Sequence, residues 1–246
     1  FHLGRPERAW RTATMWRTSW LSREVIVLPL FMAGLFAWTV GHALGGAPVV
    51  VGGLTALACI ALFVCTAMIY ASVRFLQEWA SPLTLVNYLL IGCASGSLLA
   101  AALASFAAPS LVEPLALAAL LLTLAALIGR AAALLRNAGL KPRSTLQTAI
   151  GIKHPAIVQR AQGFMGGSFN TREFFHGSSA GVLRSVKWFF LAAGFVLPAA
   201  MLLALPPSGP VLLAAVLVQL AGLLAERWFF FAQANHPQNL YYQAIS

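Results

Sequence analysis

Six long apolar runs, separated by gaps that alternate between basic and uncharged, constrain this chain more than any other feature. The runs cover about 24–44, 48–71, 82–107, 114–135, 186–205 and 210–231. At about 1.5 Å per helical residue, runs of this size reach across a hydrocarbon core of about 30 Å. Lipid offers no hydrogen-bond partner, so each spanning segment must satisfy its own backbone, and a helix does this. The pattern therefore predicts an all-α fold, a polytopic transmembrane helix bundle, organised as a single membrane domain over 1–246. Only 9% of the residues are charged, against about 25% in a soluble domain.

The positive charges give the bundle an orientation. Arg5, Arg8, Arg11, Arg17 and Arg23 precede the first run, Arg74 follows the second, and Arg227 is read as following the sixth. Arg130, Arg136, Lys141, Arg143, Lys153, Arg160, Arg172, Arg184 and Lys187 are read as separating the fourth from the fifth. The gaps at 45–48, 107–113 and 206–210 contain no lysine or arginine. All sixteen basic residues thus fall on one side, which the positive-inside rule assigns to the cytoplasm. A net charge of +10 would suggest nucleic acid in a soluble protein. Here topology and anionic lipid head groups account for it, and no nucleic-acid partner is expected.

Local signals refine the spans. Pro82 and Pro114 are placed to open the third and fourth, where proline sacrifices no needed donor. Pro198 should kink the fifth, with a neighbour satisfying the freed carbonyl. Trp20, Trp38, Tyr70, Trp79, Tyr88, Trp188 and Trp228 stand near span ends, as interfacial anchors do. Gly92 and Gly96 offer a small-residue seam in the third span. Cys59, Cys65 and Cys93 lie inside apolar runs without metal-like spacing and read as packing residues.

The segment 137–184 is polar, basic and too long for a simple turn. Asn137-Ala138-Gly139 predicts a helix stop, Ser144-Thr145 a cap for a short amphipathic helix, and His154-Pro155 the start of another reaching about Gln162. Long structured loops carry function, so this one is read as a cytoplasmic docking platform; a helix lying on lipid is the plainer alternative.

Chemistry is best placed in the opening stretch, Phe1-His2-Leu3-Gly4-Arg5-Pro6 and Trp20-Leu21-Ser22-Arg23-Glu24. A histidine and a glutamate at the lipid boundary can exchange protons with a membrane-soluble carrier such as a quinone, whose two electrons travel with two protons. Residue type alone favours a simpler reading. In it Glu24 caps its helix or pairs with Arg23, and His2 is an interfacial residue without function.

The run FHLGRPERAW…SWLSREV, the stretch Glu78-Trp79-Ala80-Ser81-Pro82-Leu83-Thr84 and the tail Glu226-Arg227-Trp228-Phe229-Phe230-Phe231-Ala232…His236-Pro237-Gln238-Asn239 resemble the DMSO reductase membrane-anchor family (DmsC). The resemblance implies the membrane component of a three-part oxidoreductase. An iron–sulfur subunit and a molybdopterin catalytic subunit would be its partners, and their clusters and cofactor would reside there. The anchor itself would bind a quinone, ubiquinone or menaquinone, and no haem. By motif position the family's quinol-binding histidine and glutamate fall on His2 and Glu24, with Arg5, Arg8, Trp20, Ser22 and Arg23 as neighbours. The family has eight membrane helices, so two more are expected upstream of Phe1.

Orientation selects a branch. In the DMSO-reducing enzymes the H-L-G-x-P side faces the periplasm, whereas here that side carries the positive charge. The chain is more similar to the cytoplasm-facing sulfite:quinone oxidoreductase anchors (SoeC), as is the loop 163–177. Such an anchor would sit in the bacterial inner membrane with its partners on the cytoplasmic side. Three alternatives stay open: an S-oxide reductase anchor oxidising menaquinol, a purely structural anchor, and a small-solute transporter. The transporter would want charged residues at midplane, and the span centres read as nearly all apolar.

Overall fold

The structure, a computed structural model, describes residues 5–141, 143, 145–158 and 179–235. Helices make up the regular structure among these residues, without strands. Among the described residues, six helical segments are long and apolar enough to cross a membrane. The chain divides into two compact units, Phe1–Val73 and Arg74–Ser246.

The first unit is a helical hairpin behind a short 3-10 helix, Pro6–Ala13. Helix α1 spans Trp20–Ala43, starting four residues before the expected 24. A cap, not hydropathy, sets that start: Ser19 is extended, and its Oγ accepts from the Ser22 N–H at 3.3 Å. Gly45 and Gly46, at φ of +112° and +147°, reverse the chain where a side chain would be strained. Helix α2 follows over Val49–Ala71. The two helices close on glycines. A Cβ at Gly34 would stand 2.6 Å from Thr55 Oγ1, and one at Gly52 would stand 2.7 Å from the Trp38 ring. Little of this unit is buried within itself: Ser22, Thr55, Cys65 and Ala67.

The second unit contains the other spans. Helix α3 occupies Pro82–Ala107 with Pro82 in its first turn and Ser81 as cap. A 3-10 turn, Pro109–Leu111, leads into α4, Val112–Ala138, so Pro114 lies inside the first turn instead of opening it. Gly139 caps α4, where the Asn137-Ala138-Gly139 stop placed it. Helix α5, Leu146–Ile150, is held by a capping box between Thr145 and Thr148. The helix expected from His154 does not form over 154–158. There His154 Nδ1 accepts from the Ala156 N–H at 3.1 Å, and the His154 carbonyl accepts from Gln147 Nε2 at 3.1 Å. The remainder of that expected helix, and the loop 163–177, lie outside the described residues.

The fifth span is α6 (Ala180–Leu191), a π-helical turn (Ala192–Val196) and α7 (Leu197–Ala204). Pro198 has no N–H to give the carbonyl of Gly194, four residues back. Gln219 of α8 (Gly209–Ala232) supplies the donor, its Nε2 lying 3.5 Å from Gly194 O and 3.4 Å from Thr123 Oγ1. The freed carbonyl thus has a neighbour's donor, as the proline implied, beside a π-helical turn.

Packing in this unit differs along its length. Leu98, Ala101, Ala102 and Ala104 of α3 meet Val112, Ala116 and Ala119 of α4 and Leu212 and Ala215 of α8. Near the basic ends, Ala126, Phe190, Phe195 and Phe229 make an aromatic core instead. No close helix approach is found at Gly96, where an added Cβ would meet nothing within 4 Å. Gly222 sits in one, where a Cβ would overlap the Gly194 backbone. Trp79 is not an interfacial anchor either. It is 5% exposed, stacks on Phe230 at 5.1 Å and donates its indole N–H to the Phe230 carbonyl at 3.0 Å.

Candidate functional site

In the first unit, the chain enters α1 through three arginine–tryptophan couples: Arg11 with Trp10, Arg17 with Trp16, and Arg23 with Trp20. The last is closest, with the guanidinium 4.0 Å from the ring centroid. Arg23 also donates from Nε to the Trp16 carbonyl at 2.8 Å and from Nη2 to the Arg17 carbonyl at 2.9 Å. It is thereby folded back over the start of its own helix. The side chain that follows it, Glu24, points to α2 and accepts from the Thr66 hydroxyl.

This arrangement excludes the simpler readings of Glu24. Ser19 is the N-cap, and no ion pair joins Arg23 to Glu24 among the described residues. What remains is a half-buried carboxylate in the first turns of α1, with a hydroxyl as its hydrogen-bond partner.

The other expected residues divide. Trp20, Ser22 and Arg23 surround the start of α1, with Ser22 buried. Arg5 and Arg8 stand exposed at the 3-10 helix, where the Arg8 N–H donates to the Arg5 carbonyl at 3.1 Å. His2 lies outside the described residues.

The second unit contains a polar cluster that the pattern of apolar runs did not predict. Arg130, expected among the loop charges, lies inside α4 and is 3% exposed. Its Nε lies 2.7 Å from Oε1 of Glu226, which is equally buried in α8. The approach pairs the charges but is too far off the N–H axis to make an aligned hydrogen bond. The guanidinium also faces the Phe190 and Phe229 rings at 5.4 and 5.8 Å. Arg227, expected after the sixth span, lies inside α8 and extends the cluster outward, 3.7 Å from Glu226 Oε2, stacked on Tyr88 at 4.4 Å and donating to the Tyr88 hydroxyl. Arg136 closes the neighbouring loop by donating to the Gln77 carbonyl at 3.0 Å. The signal for Arg130 was present: the apolar residues 131–135 after it continue the span.

The family model described as DMSO reductase anchor subunit (DmsC) matches residues 1–242. The sulfite dehydrogenase C subunit of Allochromatium vinosum is 53% identical over 262 residues, covering 100% of this chain and 81% of that protein. No solved structure matches the chain.

Proposed function

The chain belongs to the DMSO reductase anchor subunit (DmsC) family, and from that premise we propose that it is the quinone-reactive membrane anchor of a sulfite-oxidising molybdopterin enzyme. Sulfite and water become sulfate in the catalytic partner, releasing two electrons and two protons. A quinone bound to the anchor would supply the two-electron, two-proton acceptor.

The chain's own residues handle the protons. Glu24 delivers a proton from the basic side to the quinone oxygen and is reprotonated from water there. His2, twenty-two positions earlier in the motif (24 − 2), serves the second oxygen. Arg23 and Trp20 shape the boundary beside Glu24 without neutralising it. Arg5, Arg8 and Ser22 line the approach. The basic segment 137–184 docks the iron–sulfur partner, and the catalytic subunits face the cytoplasm.

The observation that carries this reading is the partnership of Glu24. A carboxylate held by the Thr66 hydroxyl, while its neighbouring arginine is engaged elsewhere, has no ion-pair partner among the described residues. The relative's name favours sulfite oxidation over S-oxide reduction, as does the placement of the arginines.

The test is the purified complex carrying Glu24→Gln. Sulfite-to-dye turnover should persist, while quinone reduction should fall about 100-fold, the lower end of what a positioned acid–base group contributes. Quinone turnover at the unsubstituted rate would remove Glu24 from the mechanism.

A further inference from the structure

Burying an arginine and a glutamate within a membrane span is costly, and such pairs seldom add net stability. The Arg130–Glu226 pair is also incomplete. Arg130 Nη2 is a buried donor without a hydrogen-bond partner among the described residues. Asn87 Oδ1 is a buried acceptor in the same condition, and Asn87 is 6% exposed. Each such group left unsatisfied costs about 1–3 kcal/mol. Both residues line one narrow cavity, together with Glu226, Tyr88 and Phe230. Glu78, Asn137 and Gln233 line it too; all three lie at or beyond the basic ends of their helices.

The cavity has room for about 20 Å³, and a water needs roughly 10–15 Å³ with two to four polar partners. A chloride would satisfy Arg130 but would face the Asn87 oxygen and the Glu226 carboxylate. A metal cation would satisfy those two and face the guanidinium. Water alone both donates and accepts. We propose that the second unit has an internal water-binding site, in which one water donates to Asn87 Oδ1 and accepts from Arg130 Nη2. The water ties α3 to α4 and keeps the buried Glu226 carboxylate hydrated. Through the Glu78, Asn137 and Gln233 mouth it exchanges with the basic side.

The site is independent of quinone binding in the first unit and stands or falls separately. X-ray hydroxyl-radical footprinting of the whole complex in H2(18)O labels side chains beside bound water. Phe229 and Phe230 make an internal pair: they are adjacent and equally buried, at 5% and 6% exposure, yet only Phe230 lines the cavity. Phe230 should take up roughly five-fold more 18-oxygen than Phe229, as a bound water predicts and a dry core does not. Asn87→Leu, or Gly129→Ala, whose Cβ would stand 2.6 Å from Asn87 Oδ1, should bring Phe230 down to the Phe229 level. Equal labelling of the two phenylalanines in the unsubstituted protein would overturn the proposal. So would an undiminished difference in a folded variant. If neither variant folds, the Phe230-to-Phe229 ratio decides alone.

Discussion

Glu24 and Glu226 are both carboxylates within spans, each near the basic end of its own helix, and they are held in opposite ways. Glu24 is half-buried and has the Thr66 hydroxyl as its partner, while the adjacent Arg23 is turned to backbone carbonyls and an indole ring. Glu226 is 3% exposed, pressed against Arg130 and flanked by Arg227. A carboxylate fixed beside a buried cation compensates its charge, and removing it would leave the cation alone. A carboxylate beside a hydroxyl has no cation to compensate. The contrast teaches that a charge in a membrane span is not by itself a reaction site. Its partner separates a carboxylate that compensates a buried cation from one that does not.

The comparison breaks most severely at Glu226. Glu226→Ala strands Arg130 and should cost the second unit about 3–5 kcal/mol, read as a large fall in the thermal midpoint of the detergent-solubilised complex. The paired substitution Arg130→Met with Glu226→Leu removes both charges and should recover most of that loss. If the double variant is as unstable as the single one, the pair is not a charge-compensation device.

A second test concerns packing in the same unit. Gly222→Ala should destabilise by about 1–3 kcal/mol, the usual range for overpacking, since its Cβ would overlap the Gly194 backbone. Gly96→Ala should change the thermal midpoint very little, since an added Cβ there meets nothing within 4 Å. Equal effects would mean that the close helix approach has been misplaced.

The smallest effect belongs to the first unit. Thr66→Val removes the donor to Glu24 and should cost about 1 kcal/mol of stability, with quinone turnover lowered only several-fold. A loss of quinone turnover as deep as that of Glu24→Gln would assign Thr66 a direct part in the chemistry instead of a positioning one.

Much of the fold is legible along the chain because spanning a membrane is a one-dimensional requirement. Apolar length and Pro82 place α3 at Pro82–Ala107, where it is found. The need for a neighbour's donor near Pro198 follows from a missing N–H, and Gln219 meets it. What the sequence conceals is pairing between distant segments. Trp79 lies beside a span end like any interfacial tryptophan, and only the fold of α8 over it turns it into a core residue. Arg130 misleads because counting charges between runs ignores where a helix ends, and its glutamate lies 96 positions away (226 − 130) in the sequence. The candidate site was half legible. The residue types at 20–24 were visible, but the diversion of Arg23 and the Thr66 partner were not.

The most direct test of the two-carboxylate account is photolabelling of the intact complex with an azido-quinone, followed by peptide mapping. Adducts are expected on the start of α1, around Trp20, Arg23 and Glu24, competed away by excess quinone. Competed adducts confined to the peptides of Tyr88 and Arg227 would place the chemistry at the pinned carboxylate and contradict it.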